Sequence, residues 1–161
     1  IDEIKDKYDE VMIMDYKDGK KLVYVKKKGK YGIVDLKTGK EMINPSYDML
    51  RYMYNKKGSM LFQGLKDGKY GIISENNSII LPFDYDGIID FFRFFVLMQN
   101  GKQGILKLEN PYVLLAPKYK EVFSVFPVFV GEGKSFDLYE VENENGKKGY
   151  IGQNGVEFFS N

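Results

Sequence analysis

Gly29-Lys30-Tyr31-Gly32-Ile33 is the stretch that decides the fold, because the pattern Gly-Lys-x-Gly-(Ile/Tyr) occurs three more times in the chain. The other copies begin at Gly68, Gly101 and Gly146. Their first glycines are separated by 39, 33 and 45 residues (68−29, 101−68 and 146−101). Self-similarity at this period predicts a protein built from tandem structural repeats.

A second landmark, Pro-x-Tyr or Pro-x-x-Tyr, follows the first three copies. Its tyrosines, Tyr47, Tyr85 and Tyr119, lie 15, 14 and 15 residues after the second glycine of the pattern (47−32, 85−71 and 119−104). Tyr8 lies in a similar stretch whose beginning is missing. The sequence therefore predicts one repeat domain over residues 1–161, with units at residues 1–11 (partial), 21–48, 59–86, 95–122 and 136–161 (partial).

Each unit has the pattern of an antiparallel meander. Apolar or β-branched stretches flank each Gly-Lys, and Asp67-Gly68, Asn100-Gly101 and Asn145-Gly146 are typical of two-residue hairpin turns. A third stretch ends at a proline, which cannot donate to a strand ladder. The predicted fold class is all-β, an array of about four three-stranded hairpin-meander repeats in an open twisted stack. A small β-propeller is the alternative. The best helix candidates are residues 1–14 and 48–55.

Composition excludes several classes of function. The 161 residues contain no cysteine and no histidine, which removes thiolate and histidine metal sites and the usual nucleophilic triads. The net charge is +1, and all but two of the 24 basic residues are lysine, so nucleic-acid binding is not expected. No apolar run approaches the ~20 residues of a membrane span, so no membrane insertion is expected either.

Carboxylates are the only side chains left for acid–base catalysis. Asp84 and Asp86 lie two residues apart, as do Glu140 and Glu142, so each pair shares one face of a strand. A glycosidase needs two carboxylates held across a cleft, which spacing alone does not indicate. We therefore predict no enzymatic activity, no catalytic residues, no cofactor and no metal.

The repeat resembles the WG-repeat (KWG) family of bacterial β-repeat proteins. The first copy is the most similar, with Gly29-Lys30-Tyr31-Gly32-Ile33, a Thr38-Gly39 turn and a Pro45-Ser46-Tyr47-Asp48 ending. The family's tryptophan is replaced by Tyr31, Tyr70, Gln103 and Lys148 in the successive copies. The resemblance implies β-hairpin units used for interaction or surface display. It also implies a bacterial cell-surface, periplasmic or secreted location, with the cytoplasm left open.

Phe91-Phe92-Arg93-Phe94-Phe95 is the least repetitive apolar stretch. Read as an extended strand, it places rings on both faces, so one face needs cover from a neighbouring unit, a partner or a ligand. Phe91, Phe92, Phe94 and Phe95 are therefore the candidate residues for binding a protein partner. A second apolar connector, residues 123–130, has the same pattern.

The alternative function is binding of surface polysaccharide or cell-wall glycan. Exposed tyrosines stack on sugar rings, and Tyr31 and Tyr70 are the candidates. The tyrosines of the Pro-x-Tyr landmark are expected instead to pack between neighbouring units, with their hydroxyls hydrogen-bonded.

Overall fold

A computed structural model describes residues 2–14 and 21–161, and within them the fold consists of four antiparallel four-stranded sheets and one short helix, α1 (Asp2–Lys5). Sheet 1 contains β1 (Glu10–Ile13), β2 (Leu22–Lys27), β3 (Lys30–Asp35) and β4 (Glu41–Tyr47). Sheet 2 contains β5 (Met49–Lys56), β6 (Ser59–Lys66), β7 (Lys69–Ser74) and β8 (Ile79–Tyr85). Sheet 3 contains β9 (Gly87–Asp90), β10 (Phe95–Gln99), β11 (Lys102–Lys107) and β12 (Val113–Tyr119). Sheet 4 contains β13 (Glu121–Gly131), β14 (Lys134–Glu142), β15 (Lys148–Gly152) and β16 (Glu157–Phe158).

The sheets confirm the all-β prediction and the number of repeats. In every sheet the hydrogen-bonded neighbours are consecutive strands, so each sheet is a meander. The three predicted strands of a repeat are the second, third and fourth strands of a sheet. The first strand is supplied by the segment that follows the repeat tyrosine, which gives each sheet four strands.

Both helix predictions are wrong over most of their length. Residues 48–55 contribute to β5, which pairs with β6 and buries Leu50. Of residues 1–14, helix α1 covers four, and β1 pairs with β2 through Val11 and Val25; Ile1 lies outside the described residues. In both places an adjacent hairpin offers an unpaired strand edge, and pairing with it outweighs a weak local helical preference.

The chain divides into two compact units, Ile1–Asp84 with sheets 1 and 2, and Tyr85–Asn161 with sheets 3 and 4. In the first unit, Ile33 and Ile43 of sheet 1 share a core with Phe62 and Ile73 of sheet 2. A smaller cluster places Ile4 and Tyr8 against the opposite face of sheet 1, on residues Val23, Val25 and Val34. In the second unit, sheets 3 and 4 share a core that is described with the site below.

The recurring glycines have two separate roles. Asn100 and Gly101 form the β10–β11 turn with φ of 52° and 73°, as the predicted hairpin requires. The second glycine of the pattern lies under the next strand. A Cβ on Gly104 would lie 2.4 Å from the carbonyl oxygen of Leu115, and one on Gly32 would lie 2.6 Å from that of Ile43. These two glycines are therefore required by close backbone approach.

The Asn145-Gly146 turn differs from the prediction. Strand β14 ends at Glu142 and β15 begins at Lys148, so the loop has five residues rather than two. Asn143 organises it, because its Oδ1 accepts hydrogen bonds from the backbone N–H groups of Asn145 and Lys147, both at 3.0 Å. An asparagine side chain at the start of a loop competes with the two-residue turn for these donors.

Candidate functional site

The repeat tyrosines join consecutive sheets inside each unit. Tyr47, at the end of sheet 1, donates from Oη to Oδ1 of Asn77, which lies just before the last strand of sheet 2, at 2.8 Å. Tyr119, at the end of sheet 3, donates to Oε1 of Glu157 in the last strand of sheet 4, also at 2.8 Å. Both tyrosines are buried. The predicted packing of these tyrosines between neighbouring repeats is thus confirmed for Tyr47 and Tyr119, and their role is structural.

Charge strengthens the link around Glu157. Hydrogen bonds from Lys118 and Tyr119 hold the pKa of this carboxyl below its ordinary value. Burial and the same carboxylate raise the pKa of Tyr119. Tyr8 forms the corresponding bond to Glu41, at the start of the last strand of sheet 1. The pattern repeats at the same place in the sheet, so it is a property of the repeat.

The candidate glycan-binding tyrosines are only partly accessible. Tyr31 is half-buried and packs on the core shared by sheets 1 and 2. The ammonium of Lys26 lies 5.2 Å from the centre of its ring. Tyr70 is half-buried and lies opposite Leu65 in the β6–β7 ladder.

The phenylalanine-rich stretch is a turn, which corrects the extended strand predicted for it. Residues 91–94, which we call the aromatic turn, connect β9 to β10. The backbone N–H of Phe91 donates to the carbonyl of Phe94 at 2.8 Å, and that of Phe92 donates to Oδ1 of Asp90 at 2.8 Å. The Asp90 side chain thus satisfies a backbone donor in place of a strand neighbour, which permits the reversal.

The aromatic turn separates the four rings. Phe94 is 3% exposed and its ring contacts that of Tyr139 on β14 edge-on, with centroids 5.2 Å apart. Phe95 is the first residue of β10 and is half-buried. Phe91 is 40% exposed, and its ring centre lies 5.4 Å from that of Phe94. Phe92 is 93% exposed. Phe94 therefore anchors the turn to sheet 4, while Phe91 and Phe92 present rings to solvent.

The backbone of Phe92 is in the left-handed region, with φ of 71°. The other non-glycine residues described with positive φ are all polar or charged: Lys28, Lys57, Asp67, Asn77, Asn100 and Glu132. A left-handed conformation disfavours an L-residue by about 1–2 kcal/mol. The exposed ring gains no burial to offset this penalty, so folding gives no reason for phenylalanine at this position.

The β13–β14 hairpin brings a second apolar group to the same side. Strand β15 pairs with β14 only as far as Leu138, so the hairpin extends beyond its neighbour. Phe129 pairs with Ser135, four residues from Tyr139, so Phe129 lies on the face of the hairpin that Phe94 contacts. It is 80% exposed. The aromatic turn and Phe129 thus flank one side of sheet 4.

Residues 123–130, the second apolar stretch of the sequence, lie entirely within strand β13 of this hairpin. Sequence reasoning did not separate exposed Phe129 from the inner part of the strand. The available signal was the Gly131-Glu132-Gly133 segment, which is typical of a hairpin tip and places its neighbours in solvent.

A largely buried ion pair links sheet 3 to sheet 4. The Lys107 ammonium on β11 lies 2.5 Å from Oδ2 of Asp137 on β14, and both side chains are largely buried. Gln153 accepts the backbone N–H of Asp137 at 2.9 Å. The hydroxyl of Tyr139 has no hydrogen-bond partner among the described residues. Its pKa is raised mainly by burial and, to a lesser extent, by the negative charge of Asp137. These groups fix the relation between sheets 3 and 4 under the aromatic turn.

The carboxylates considered for catalysis have structural partners. Oδ2 of Asp86 accepts the backbone N–H of Asn100 at 2.8 Å, inside the β10–β11 turn region. Glu140 accepts the hydroxyl of Ser124 at 3.1 Å, and Glu142 pairs with Lys120 at 2.6 Å. In residues 2–14 and 21–161 no group of three or more acidic side chains is placed to hold a metal ion, and no helix is long and apolar enough to cross a membrane.

Comparison with known proteins gives similarities in structure alone. No protein-family model matches the sequence, and no curated protein matches it significantly. A crystal structure of BBS1N in complex with ARL6DN aligns with 94% of this chain at 12% identity and a TM-score of 0.36. Kluyveromyces lactis Hsv2 aligns with 92% at 13% identity and a TM-score of 0.31. A KlHsv2 variant with loop 6CD replaced by a Gly-Ser linker also aligns with 92%, at 18% identity and a TM-score of 0.34. The alignments cover 50%, 63% and 51% of those chains respectively.

Proposed function

We propose that this chain is a non-catalytic β-repeat module, of the WG-repeat type, that binds a protein partner through the aromatic turn. The observation that carries the proposal is Phe92, an aromatic ring that is 93% exposed on a backbone with φ of 71°. A strained, solvent-exposed apolar residue lowers stability without a folding benefit, so we infer that its benefit lies in binding. With the WG-repeat assignment we also propose a bacterial surface, periplasmic or secreted location.

The partner chemistry follows from the neighbours of Phe92. Phe91 and Ile89 add partly exposed apolar surface, and Arg93 is exposed beside them. Burying one phenylalanine ring contributes about 1.5–3 kcal/mol. The turn therefore suits an apolar peptide segment or shallow pocket with a carboxylate at its edge, which Arg93 can pair with.

The turn is also held in one conformation before binding. Three hydrogen bonds donated by its backbone N–H groups, from Phe91, Phe92 and Arg93, and the buried ring of Phe94 fix the position of the turn relative to sheet 4. A preorganised anchor loses little conformational entropy on association. This supports the aromatic turn over the polar hairpin turns as the contact surface.

The test compares retention of proteins from an extract of the source cells on the immobilised full chain and two variants. Phe92→Gly removes the ring and keeps the backbone conformation accessible. Ile13→Ser is the matched control, because Ile13 is 77% exposed and lies in the first unit. We expect a protein that the wild type and Ile13→Ser retain and Phe92→Gly does not. Equal retention by all three would contradict the proposal.

The glycan-binding alternative has less support, because the ring of Tyr31 lies beneath the Lys26 ammonium and against the core. The same experiment examines it when bound carbohydrate is also measured. Glycan that is retained by the wild type and lost with Tyr70→Ser would favour this alternative.

A further inference from the structure

Sheet 4 packs on sheet 3 with one face and exposes large apolar side chains on the other. The covered face packs on sheet 3 through residues that include Tyr139, Val141 and Ile151. Glu140 and Tyr150 alternate with these residues and pair with each other, so they lie on the opposite face. We call this opposite face the outer face. Its members are Phe126, Val128, Glu140, Glu142, Lys148, Tyr150 and Phe158.

The outer face carries several large apolar side chains that are accessible to solvent. Tyr150 pairs with Phe158 on β16, and its ring contacts that of Phe126 edge-on at 6.1 Å. These three rings are 40%, 52% and 47% exposed respectively. Val128 continues the apolar surface toward the hairpin tip and is also exposed. A contiguous patch of this kind on a sheet is typical of an interface.

The repeat indicates what this face does in the other sheets. Tyr150 follows Gly149 as Ile33 follows Gly32 and as Ile105 follows Gly104. Ile33 and Ile105 are completely buried, and each belongs to the core shared with the following sheet. The outer face of sheet 4 is therefore in the position that sheets 1 and 3 bury against another sheet.

We propose that the outer face binds the outer face of a second copy of this chain, related by a twofold axis. The axis runs parallel to the strands, between β14 and β15. A head-to-tail contact between the outer face of one copy and sheet 1 of the other is disfavoured. The face of sheet 1 that would receive it contains Val25 and Val34, and Ile4 and Tyr8 of the same chain already cover that face. The second copy's matching free face is then its own outer face, and contact between identical surfaces is isologous.

Charge complementarity fits this axis. Rotation about this axis places β14 of one copy opposite β15 of the other. Each residue keeps its position along the strand direction, so residues at the same height face each other. Glu142, which forms an ion pair with Lys120 and lies in register with Lys148 on its own sheet, then faces Lys148 of the second copy as a second cation. Glu140 faces the Tyr150 hydroxyl of the second copy, and Phe126 on the β13 side faces the β16 side with Phe158. Opposite charges and apolar edges therefore meet across the axis.

This association uses a different face from the one flanked by the aromatic turn. Phe94 contacts Tyr139 on the covered side of sheet 4, whereas Tyr150 lies on the outer side. The proposed dimer therefore presents two aromatic turns at once, and a bivalent module gains avidity for a partner that repeats or clusters.

The oligomeric state in solution tests the proposal directly. Sedimentation velocity of the full chain over a concentration series is expected to show a reversible monomer–dimer equilibrium. Phe158→Lys places a charge in the interface once from each copy. If each charge lowers the dimerisation constant about tenfold, the two together lower it roughly 100-fold. Ile13→Lys and Phe92→Gly are controls that are expected to dimerise as the wild type does. Circular dichroism verifies that every variant is folded.

Crosslinking tests the orientation. The chain contains no cysteine, so a single introduced cysteine reports its own position. A mixture of Ser124→Cys and Phe158→Cys chains is expected to crosslink with a short bis-maleimide more than either variant alone. Ser124 on β13 and Phe158 on β16 are at the same height along the strands, so the axis places one against the other at the spacing of packed sheets, about 10 Å. Two copies of the same residue are displaced sideways by about three strand spacings of ~4.8 Å. A wild type that stays monomeric at millimolar concentration would overturn the proposal, and so would a dimer that Phe158→Lys leaves intact.

Discussion

Replacement of Phe92 by glycine is expected to stabilise the protein relative to replacement by alanine, which is an unusual outcome for removal of a phenylalanine. The backbone at this position has φ of 71°, and the ring is 93% exposed. Both substitutions remove the ring, and both keep the backbone N–H that donates to Asp90. The two variants therefore differ mainly in how well they accept the left-handed conformation.

The magnitude follows from three contributions. Relief of the left-handed conformation stabilises the glycine variant by about 1–2 kcal/mol. The greater freedom of glycine in the unfolded chain opposes this by about 0.5–1 kcal/mol. Loss of the small buried part of the ring contributes less than about 0.5 kcal/mol. We expect Phe92→Gly to be more stable than Phe92→Ala by about 0.5–1 kcal/mol and at least as stable as the wild type.

Urea denaturation followed by far-UV circular dichroism measures this difference, provided the variants have equal m-values. Binding is measured on the same three proteins, and we expect both variants to bind the partner weakly. A glycine variant clearly less stable than the alanine variant would refute the reasoning, because it would mean that Phe92 does not hold a strained backbone.

Three further outcomes are expected. Gly104→Ala should lower the free energy of unfolding by about 2–3 kcal/mol, since its Cβ would lie 2.4 Å from a backbone carbonyl oxygen, whereas Gly101→Ala should lower it by about 1 kcal/mol. Similar values for the two variants in urea denaturation would contradict the close approach. Tyr119→Phe should lower the free energy of unfolding by about 1 kcal/mol, because the hydrogen bond to Glu157 is lost. A double-mutant cycle with Glu157→Gln should show that the two substitutions are not additive. Tyr139→Phe should be neutral or stabilising at pH 7, because the hydroxyl is buried with no partner among the described residues. Since burial raises the pKa of this group above 10, wild-type stability should fall as the pH rises above 10, and that of the variant should fall less. A steeper alkaline loss in the variant would argue against a buried, neutral tyrosine.

The repeat pattern predicts much of the fold because its glycines report backbone geometry directly. Asn100-Gly101 requires a tight hairpin, and Gly104 requires a neighbouring backbone at close range, whatever the surrounding side chains are. The spacing to Tyr119 then locates the end of the sheet. These are local constraints, which a single sequence contains.

The first strand of each sheet and the aromatic turn depend on tertiary partners instead. Residues 48–55 have no strong local preference, and they form a strand because β6 offers an edge. Four phenylalanines in five residues favour an extended strand by composition. The Asp90 side chain and the contact between Phe94 and Tyr139 select a turn, and this long-range contact is not visible in the sequence. The geometry of the candidate site therefore could not be predicted from the sequence.

The outer face of sheet 4 shows an intermediate case. Tyr150 stands where three earlier copies have isoleucine, which marks a change in the environment of that position. A tyrosine tolerates partial exposure better than isoleucine does, because its hydroxyl can remain hydrated. The sequence contained this signal, but the strand register was needed to connect Tyr150 with Phe126 and Phe158.

Site-specific photocrosslinking tests the central claim most directly. A benzophenone-bearing phenylalanine analogue replaces Phe92 in the full chain, and the same analogue at Ile13 serves as the control, since both side chains are exposed. Irradiation in an extract of the source cells is expected to link position 92 to one protein, at an apolar segment identified by mass spectrometry. Free excess wild-type chain should compete for it. Equal labelling from both positions, or labelling at position 92 that the wild-type chain does not reduce, would contradict a partner-binding role for the aromatic turn.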